Sequence, residues 1–236
     1  HNAHFERAEY SLAIEYAEKE VALRRAEADS LELATALDNL AFYLMYEHES
    51  ERARAAVEES ITIRRAHPPV DQGLLVDSIW ILADALHLLG DLDGAERNAR
   101  EALAIVRDIP DHSDPRVLYG LFFLARFLRA AGESQESIEL LTEGLATLEK
   151  QPEIGMELIG YRNVLALNYQ DHLRYEEAAA LLRRSHRDCL VVYPDDDAQC
   201  LGVTTNLALT YGFLRRFESA DSLLDEAAAM KCDTVV

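Results

Sequence analysis

Prolines in this chain fall on a ruler. Four of the six, Pro68, Pro110, Pro152 and Pro194, are each separated from the last by 42 residues. Proline ends helices and marks turns, because it lacks an N–H and clashes with the preceding turn. A second ruler has the same graduation: Leu-Ala recurs at 40–41, 82–83, 124–125, 165–166 and 207–208, with spacings of 42, 42, 41 and 42. Self-similarity at that period confines the chain to a stacked array of repeated units and argues against one irregular domain.

Offsets counted from each Ala say what is stacked. Three residues on stands a large apolar side chain: Leu44, Leu86, Leu128, Tyr169 or Tyr211. Twelve on stands a small one (Ala53, Ala95, Ser137, Ala178, Ala220), and nineteen on another (Ser60, Ala102, Gly144, Ser185, Ala227). Small residues at fixed helical offsets let two backbones approach closely. Nothing alternates with period two over a useful length, so strands are not expected. Each unit is read as helix A, a short turn, helix B and a proline-bearing loop. Helices A are expected near 31–47, 73–89, 115–131, 155–172 and 197–214, and helices B near 51–66, 93–108, 134–150, 176–192 and 218–231. A leading helix covers about 4–27, and Gly90 and Gly132 suit left-handed helix C-caps. The expected divisions are a cap or half-repeat over 1–30, then repeats at 31–72, 73–114, 115–154, 155–196 and 197–236, forming one continuous domain.

Composition narrows the partners. Of 236 residues, 23 are Lys or Arg and 43 are Asp or Glu, for a net charge of −20. Hydrophobic residues make up 49%, enough for a core and against disorder. The acidic balance excludes nucleic acid and anionic membrane surfaces, which need clustered cations. The longest apolar stretch, Val117–Ala125, stops at Arg126 and falls short of the roughly 18 residues a membrane helix needs. No Lys/Arg-flanked signal segment opens the chain. Its start, His1-Asn2-Ala3, reads as an excised fragment with a tag remnant. Cys189, Cys200 and Cys232 form no CxxC pair and are read as reduced thiols of a cytoplasmic protein, with Cys189 and Cys232 ending successive B helices.

Catalytic chemistry is thin. His48 lies between Glu47 and Glu49 without HExxH spacing and is read as a turn residue. His112, Ser113 and Asp114 are consecutive, and adjacency does not make a triad. Asp195, Asp196 and Asp197 lack the spaced ligands and glycine of a calcium loop and suit helix capping. With no GxGxxG, Walker or GxSxG sequence, the chain is read as non-enzymatic, with no catalytic residue, metal or cofactor.

These residues resemble the tetratricopeptide pattern, and the 42-residue period resembles the kinesin light chain-like subfamily and its bacterial relatives. The closest stretches are Thr205–Tyr211 followed by Arg216–Ala220, and Arg162–Tyr169 followed by Arg174–Ala178. The loop Pro110–Val117 is similar to the proline-histidine-proline loop of that subfamily with one insertion, while the Asn before Leu-Ala is kept only at Asn39 and Asn206. The resemblance implies an all-α fold: a right-handed α-solenoid of helix-turn-helix repeats whose A helices line a concave wall. It places ligand contacts on the exposed face of helix A, here Asp38, Asn39, Phe42 and Met45, then Trp80, Asp84 and His87, then Tyr119, Phe122, Phe123, Arg126 and Arg129. Farther along stand Asn163, Gln170 and Asn206. Rings would take apolar side chains, Asn amides a peptide backbone, and Arg126 or Arg129 a carboxylate. The same aromatics also suit packing between repeats, and Asp84 with Arg126 or His87 with Arg129 could merely neutralise one another. The sequence leaves both readings open.

The expected function is a scaffold binding a protein or peptide in the concave groove, with self-association through uncapped solenoid ends as a further expectation. The alternative is a sensory domain of a larger bacterial signalling protein, a kinase or transcription regulator, binding a small molecule or its own effector domain.

Overall fold

The computed structural model describes residues 2–27, 30–108, 115–151, 154–193 and 197–232. Pro110, Pro152, Pro194, the His112-Ser113-Asp114 run, Asp195 and Asp196 lie outside the described residues. Within them the chain is helical throughout, with no strand: α1 Asn2–Glu27, α2 Ser30–Tyr46, α3 Ser50–Ala66, α4 Gln72–Leu88, α5 Leu92–Asp108, α6 Pro115–Ala131, α7 Ser134–Leu148, α8 Met156–Asp171, α9 Tyr175–Val192, α10 Leu201–Phe213 and α11 Phe217–Cys232. The fold class is therefore all-α, built of consecutive antiparallel-type helix pairs as the periodicity requires.

The chain forms two compact units, His1–Ala131 and Gly132–Val236. In the first, each helix from α1 to α6 packs on the next, and α2 also touches α4. In the second, α7 to α11 pack in the same sequential manner, with α8 touching α10. The small positions carry this packing. Ala41, Ala83, Ala125 and Ala166 have no exposed surface, and neither do Ala53, Ala95, Ser137, Ala178, Ser60, Ala102 and Ser185. Gly144 is the extreme case: a Cβ built there would lie 2.2 Å from Tyr161 Cε1. Glycine at this place in α7 is what lets the buried Tyr161 ring of α8 lie against the backbone.

One turn geometry closes every A helix. His48, Gly90, Gly132, Leu173 and Arg215 all have positive φ, between 57° and 89°. They occupy the same place in each repeat. After α4, the Asp91 N–H donates to the Leu86 carbonyl (2.9 Å) and the Gly90 N–H to that of His87 (3.0 Å). After α8, Arg174 donates to Tyr169 (2.8 Å) and Leu173 to Gln170 (2.9 Å). This paired pattern is the Schellman motif, which satisfies the last carbonyls of a helix. Gly90 and Gly132 meet its conformational demand without strain, whereas Leu173 and Arg215 meet it against their Cβ.

Two buried ion pairs fasten A helices to B helices. In α2, Asp38 accepts from Arg64 Nη2 of α3 and from the Ser78 hydroxyl of α4, both at 2.8 Å. In α8, Arg162 donates to Asp188 of α9 at 2.7 Å and reaches Glu149 at 3.2 Å. Arg64 and Arg162 are only 4% and 3% exposed. Removing one partner of such a pair strands a buried charge, at a cost of about 3–5 kcal/mol. Asp38 thus belongs to the packing and not to the ligand-contacting face the resemblance assigned it, because Arg64 draws it inward.

The cysteine expectation is overturned. Cys189 of α9 is disulfide-bonded to Cys200, both completely buried among Ile159, Leu182, Val203, Leu207 and Met230. Cys189 and Cys200 are therefore not the reduced thiols the sequence led us to expect. Cys200 closes a 3-10 turn, Asp197–Cys200, so α10 begins at Leu201, four residues after the expected start of the fifth A helix.

Two predictions follow from these geometries. Leu173 is 72% exposed, so Leu173→Gly loses little packing and relieves the left-handed backbone; urea unfolding should show a gain of about 0.5–1 kcal/mol, and no gain would refute the strain argument. Alkylation of the denatured, unreduced chain should mark one of the three cysteines, and all three after reduction. Three adducts without reduction would contradict the bond.

Candidate functional site

An A helix has two sides committed to packing, leaving one for other work. On α4, Leu82, Ala83 and Leu86 are buried, while Asp77, Trp80, Asp84 and His87 follow one another along a single face. Across from them α6 presents Tyr119, Phe122, Phe123 and Arg126. Both helices lie in the first unit, so this is one site.

Its rings form an arc. Trp80 and Tyr119 have centroids 4.5 Å apart, Tyr119 and Phe123 4.1 Å, Phe123 and Phe127 6.4 Å, and Phe127 and His87 5.1 Å. The arc leaves α4 at Trp80 and returns to it at His87, one turn to either side of Asp84. Gly120 makes room for it, since a Cβ there would stand 3.1 Å from Trp80 Cζ2. Trp80 is the floor of the site: only 4% of it is exposed, because Tyr119 lies over it, while Tyr119 itself is 42% exposed. Arg126 lies with its guanidinium 5.8 Å from the Phe122 centroid and 5.2 Å from that of Phe123, within reach of a cation–π contact.

Polar groups in the arc are short of partners. Trp80 Nε1 and His87 Nδ1 are buried without a hydrogen-bond partner. Asp84 and Arg126 make no hydrogen bond or ion pair among the described residues, and interact only through the field between them. Burial pushes the Asp84 carboxyl up to about 6, with Arg126 pulling the other way. Burial, and after it the charge of Arg126, lowers His87, so its imidazole is neutral near pH 7. Burial, followed by the charge of Asp84, raises the Tyr119 phenol. Buried polar groups are nearly always hydrogen-bonded, so the two unpaired nitrogens on this helix face, with the half-buried Asp84 between them, single it out as the candidate site.

The remaining expected residues lie elsewhere. Asn39 is exposed on α2, and Phe42, 44% exposed, meets Tyr46 edge-on at 5.0 Å, which in turn stacks on Tyr10 at 4.7 Å. Arg129 is half-buried and already engaged. In the second unit, Asn206 Nδ2 donates to Asn163 Oδ1 at 3.0 Å, and Gln170 Nε2 to the Thr210 hydroxyl at 2.5 Å. Those amides tie α8 to α10. Tyr119 is the ring that residue types alone underrate: its position six before the anchor matches that of Asp77, and only the packed helices show it covering Trp80. Among the described residues no group of three or more His, Cys, Asp or Glu is placed to hold a metal ion.

Comparison with known proteins agrees with this architecture. Residues 75–150 match the tetratricopeptide repeat family model, and helix pairs of the same kind occur on both sides of that stretch. The fold is similar to those of solved kinesin light chain-like proteins. It is similar to BtubC (BKLC) from P. vanneervenii, with a TM-score of 0.82 at 20% identity over 95% of this chain and 92% of that one. It is also similar to a putative kinesin light chain from P. anserina with nearly identical repeats, TM-score 0.71 at 22% identity, over 85% and 96% of the two chains. A Rap protein complexed with competence and sporulation factor gives 0.64 at 16% identity, over 95% of this chain and 59% of that one. At such identities the likeness is one of fold. Comparison with curated proteins finds no match. No helix of the described residues is long and apolar enough to cross a membrane.

Asp84 gives the site a stability signature. An ordinary aspartate sits at 3.8 and this one at about 6 in the folded chain, so between those values only the native state holds the proton. Its contribution is therefore full below about pH 4 and is lost as pH rises through 6, leaving a burial cost on the order of 2 kcal/mol at neutral pH. Asp84→Asn should raise the unfolding free energy by about 1–2 kcal/mol at neutral pH and lose that advantage in acid. Equal or lower stability at neutral pH would contradict the burial.

Proposed function

We propose that the chain is a protein-interaction module and that the α4–α6 face of the first unit holds an extended segment of a partner. The observation that carries this reading is the arc of rings with its unpaired Trp80 Nε1, Asp84 and His87 Nδ1. Folding gains nothing by keeping a half-buried carboxylate without a donor, so the residue makes sense as part of a surface completed on binding. The exposed part of Tyr119 with Phe122 and Phe123 gives apolar area for a side chain of the partner, and the guanidinium of Arg126, exposed and lying on the phenylalanine rings, suits a carboxylate. Asn39 and Phe42 on α2 extend the surface toward the start of the chain. Among proteins of this fold, a Rap protein is seen with competence and sporulation factor bound, which supports an interaction role.

The test begins with a pull-down from native lysate and mass spectrometry to name the partner. Calorimetry on that partner should then show at least a tenfold weakening, about 1.4 kcal/mol, for Tyr119→Ala and for Phe123→Ala. Exposed substitutions on α5, away from the face, should have no effect. Unchanged affinity in both ring variants would remove the face as the binding site.

A further inference from the structure

We infer that the bound segment presents a cationic side chain, lysine or arginine, to Asp84, beside the packed rings of Tyr119 and Phe123. The inference rests on the reading of the α4–α6 face as the partner site and names the chemistry that site selects.

The argument is one of unmet valence. The Asp84 carboxylate is half-buried, and no N–H or O–H among the described residues donates to it. An anion in such a place is matched only by a group that brings both donors and positive charge. The neighbours do not supply one. On its own helix it has Asp77, the neutral His87 and the Trp80 indole; on α6 it has Tyr119 and Arg126. On α2, Asp38 is already paired with Arg64 of α3, and Tyr46 acts only on Tyr119 from a distance. Among the described residues Arg126 is the one cation whose field reaches Asp84, and its guanidinium lies over Phe122 and Phe123 instead of on the carboxylate.

The walls fit the same ligand. Ring faces attract cations through their quadrupole, most strongly where water is excluded, and Arg126 demonstrates that a guanidinium lies comfortably on these rings. The long stem of lysine or arginine also suits apolar ring surface that borders a charge. Beyond the site, the net charge of −20 steers cations toward the molecule. An acidic side chain would meet Arg126 favourably but would leave Asp84 unpaired and facing a like charge.

Trp80 supplies the readout, because it is the only tryptophan in the chain and its indole N–H gives a single resonance. The probes are N-acetyl-argininamide, N-acetyl-glutaminamide and N-acetyl-glutamate, each titrated to about 50 mM against the isotope-labelled chain. N-acetyl-argininamide should move the indole resonance saturably near neutral pH, at least tenfold more tightly than the glutamine analogue. The response should fade as pH falls through about 6, where Asp84 gains its proton. Asp84→Asn should abolish it while keeping the backbone spectrum, and Arg126→Ala should retain it. A shift produced by N-acetyl-glutamate and not by N-acetyl-argininamide overturns the cationic assignment but leaves the face as a binding site. An argininamide response that survives in Asp84→Asn, or no response to any probe, also overturns it. The wider reading stands or falls separately, on the affinity of the captured partner for the ring variants.

Discussion

Close approach of helix backbones is the constraint on which this structure depends. It is set by side chains small enough to be absent: Ala41, Ala83, Ala125 and Ala166 on the A helices, and their partners at Ser60, Ala102, Gly144 and Ser185 on the B helices. Helix pairs that cannot bury an apolar face alone gain stability by stacking, so each pair needs its neighbour. Gly144 against Tyr161 and Gly120 against Trp80 show how little room the packing leaves. Within the first unit the same closeness brings α2 against α4, and the ring contacts Trp80–Tyr119 and His87–Phe127 join α4 to α6 in the ring arc.

Elements with a periodic cause could be read from the residues. Helices α2 to α9 lie within two residues of their expected bounds, since the 42-residue ruler places every A–B turn. The left-handed C-caps at Gly90 and Gly132 were legible for the same reason, because glycine announces the conformation. Those at His48, Leu173 and Arg215 were not, because the repeat imposes the turn on residues whose own preference opposes it. The Cys189–Cys200 bond carries no spacing signature and depends on how α9 and α10 pack together.

The face itself was legible in outline and misjudged in depth. Trp80, Asp84, Phe122, Phe123 and Arg126 do converge, as their offsets imply. Trp80, however, lies beneath Tyr119, so the exposed ring belongs to the following repeat. Asp38 sits on the expected face by count, but Arg64, one helix away, turns it into a buried ion pair. The amides of Asn163 and Asn206, placed by the same count, bond to each other. In each case the deciding contact comes from a neighbouring helix, which a count along one helix does not see.

Asp84 is where packing and function pull apart. A packed ladder would have paired it with Arg126; instead Arg126 lies on the phenylalanines, and the carboxylate stays half-buried, unbonded and partly protonated near pH 6. The central claim, that the α4–α6 face is where a partner lies, is tested most directly by hydrogen exchange on the complex with the partner captured from lysate. The account predicts slowed exchange concentrated in residues 72–88 and 115–131, the spans of those two helices. Slowing confined to the B helices, with α4 and α6 unchanged, would contradict it.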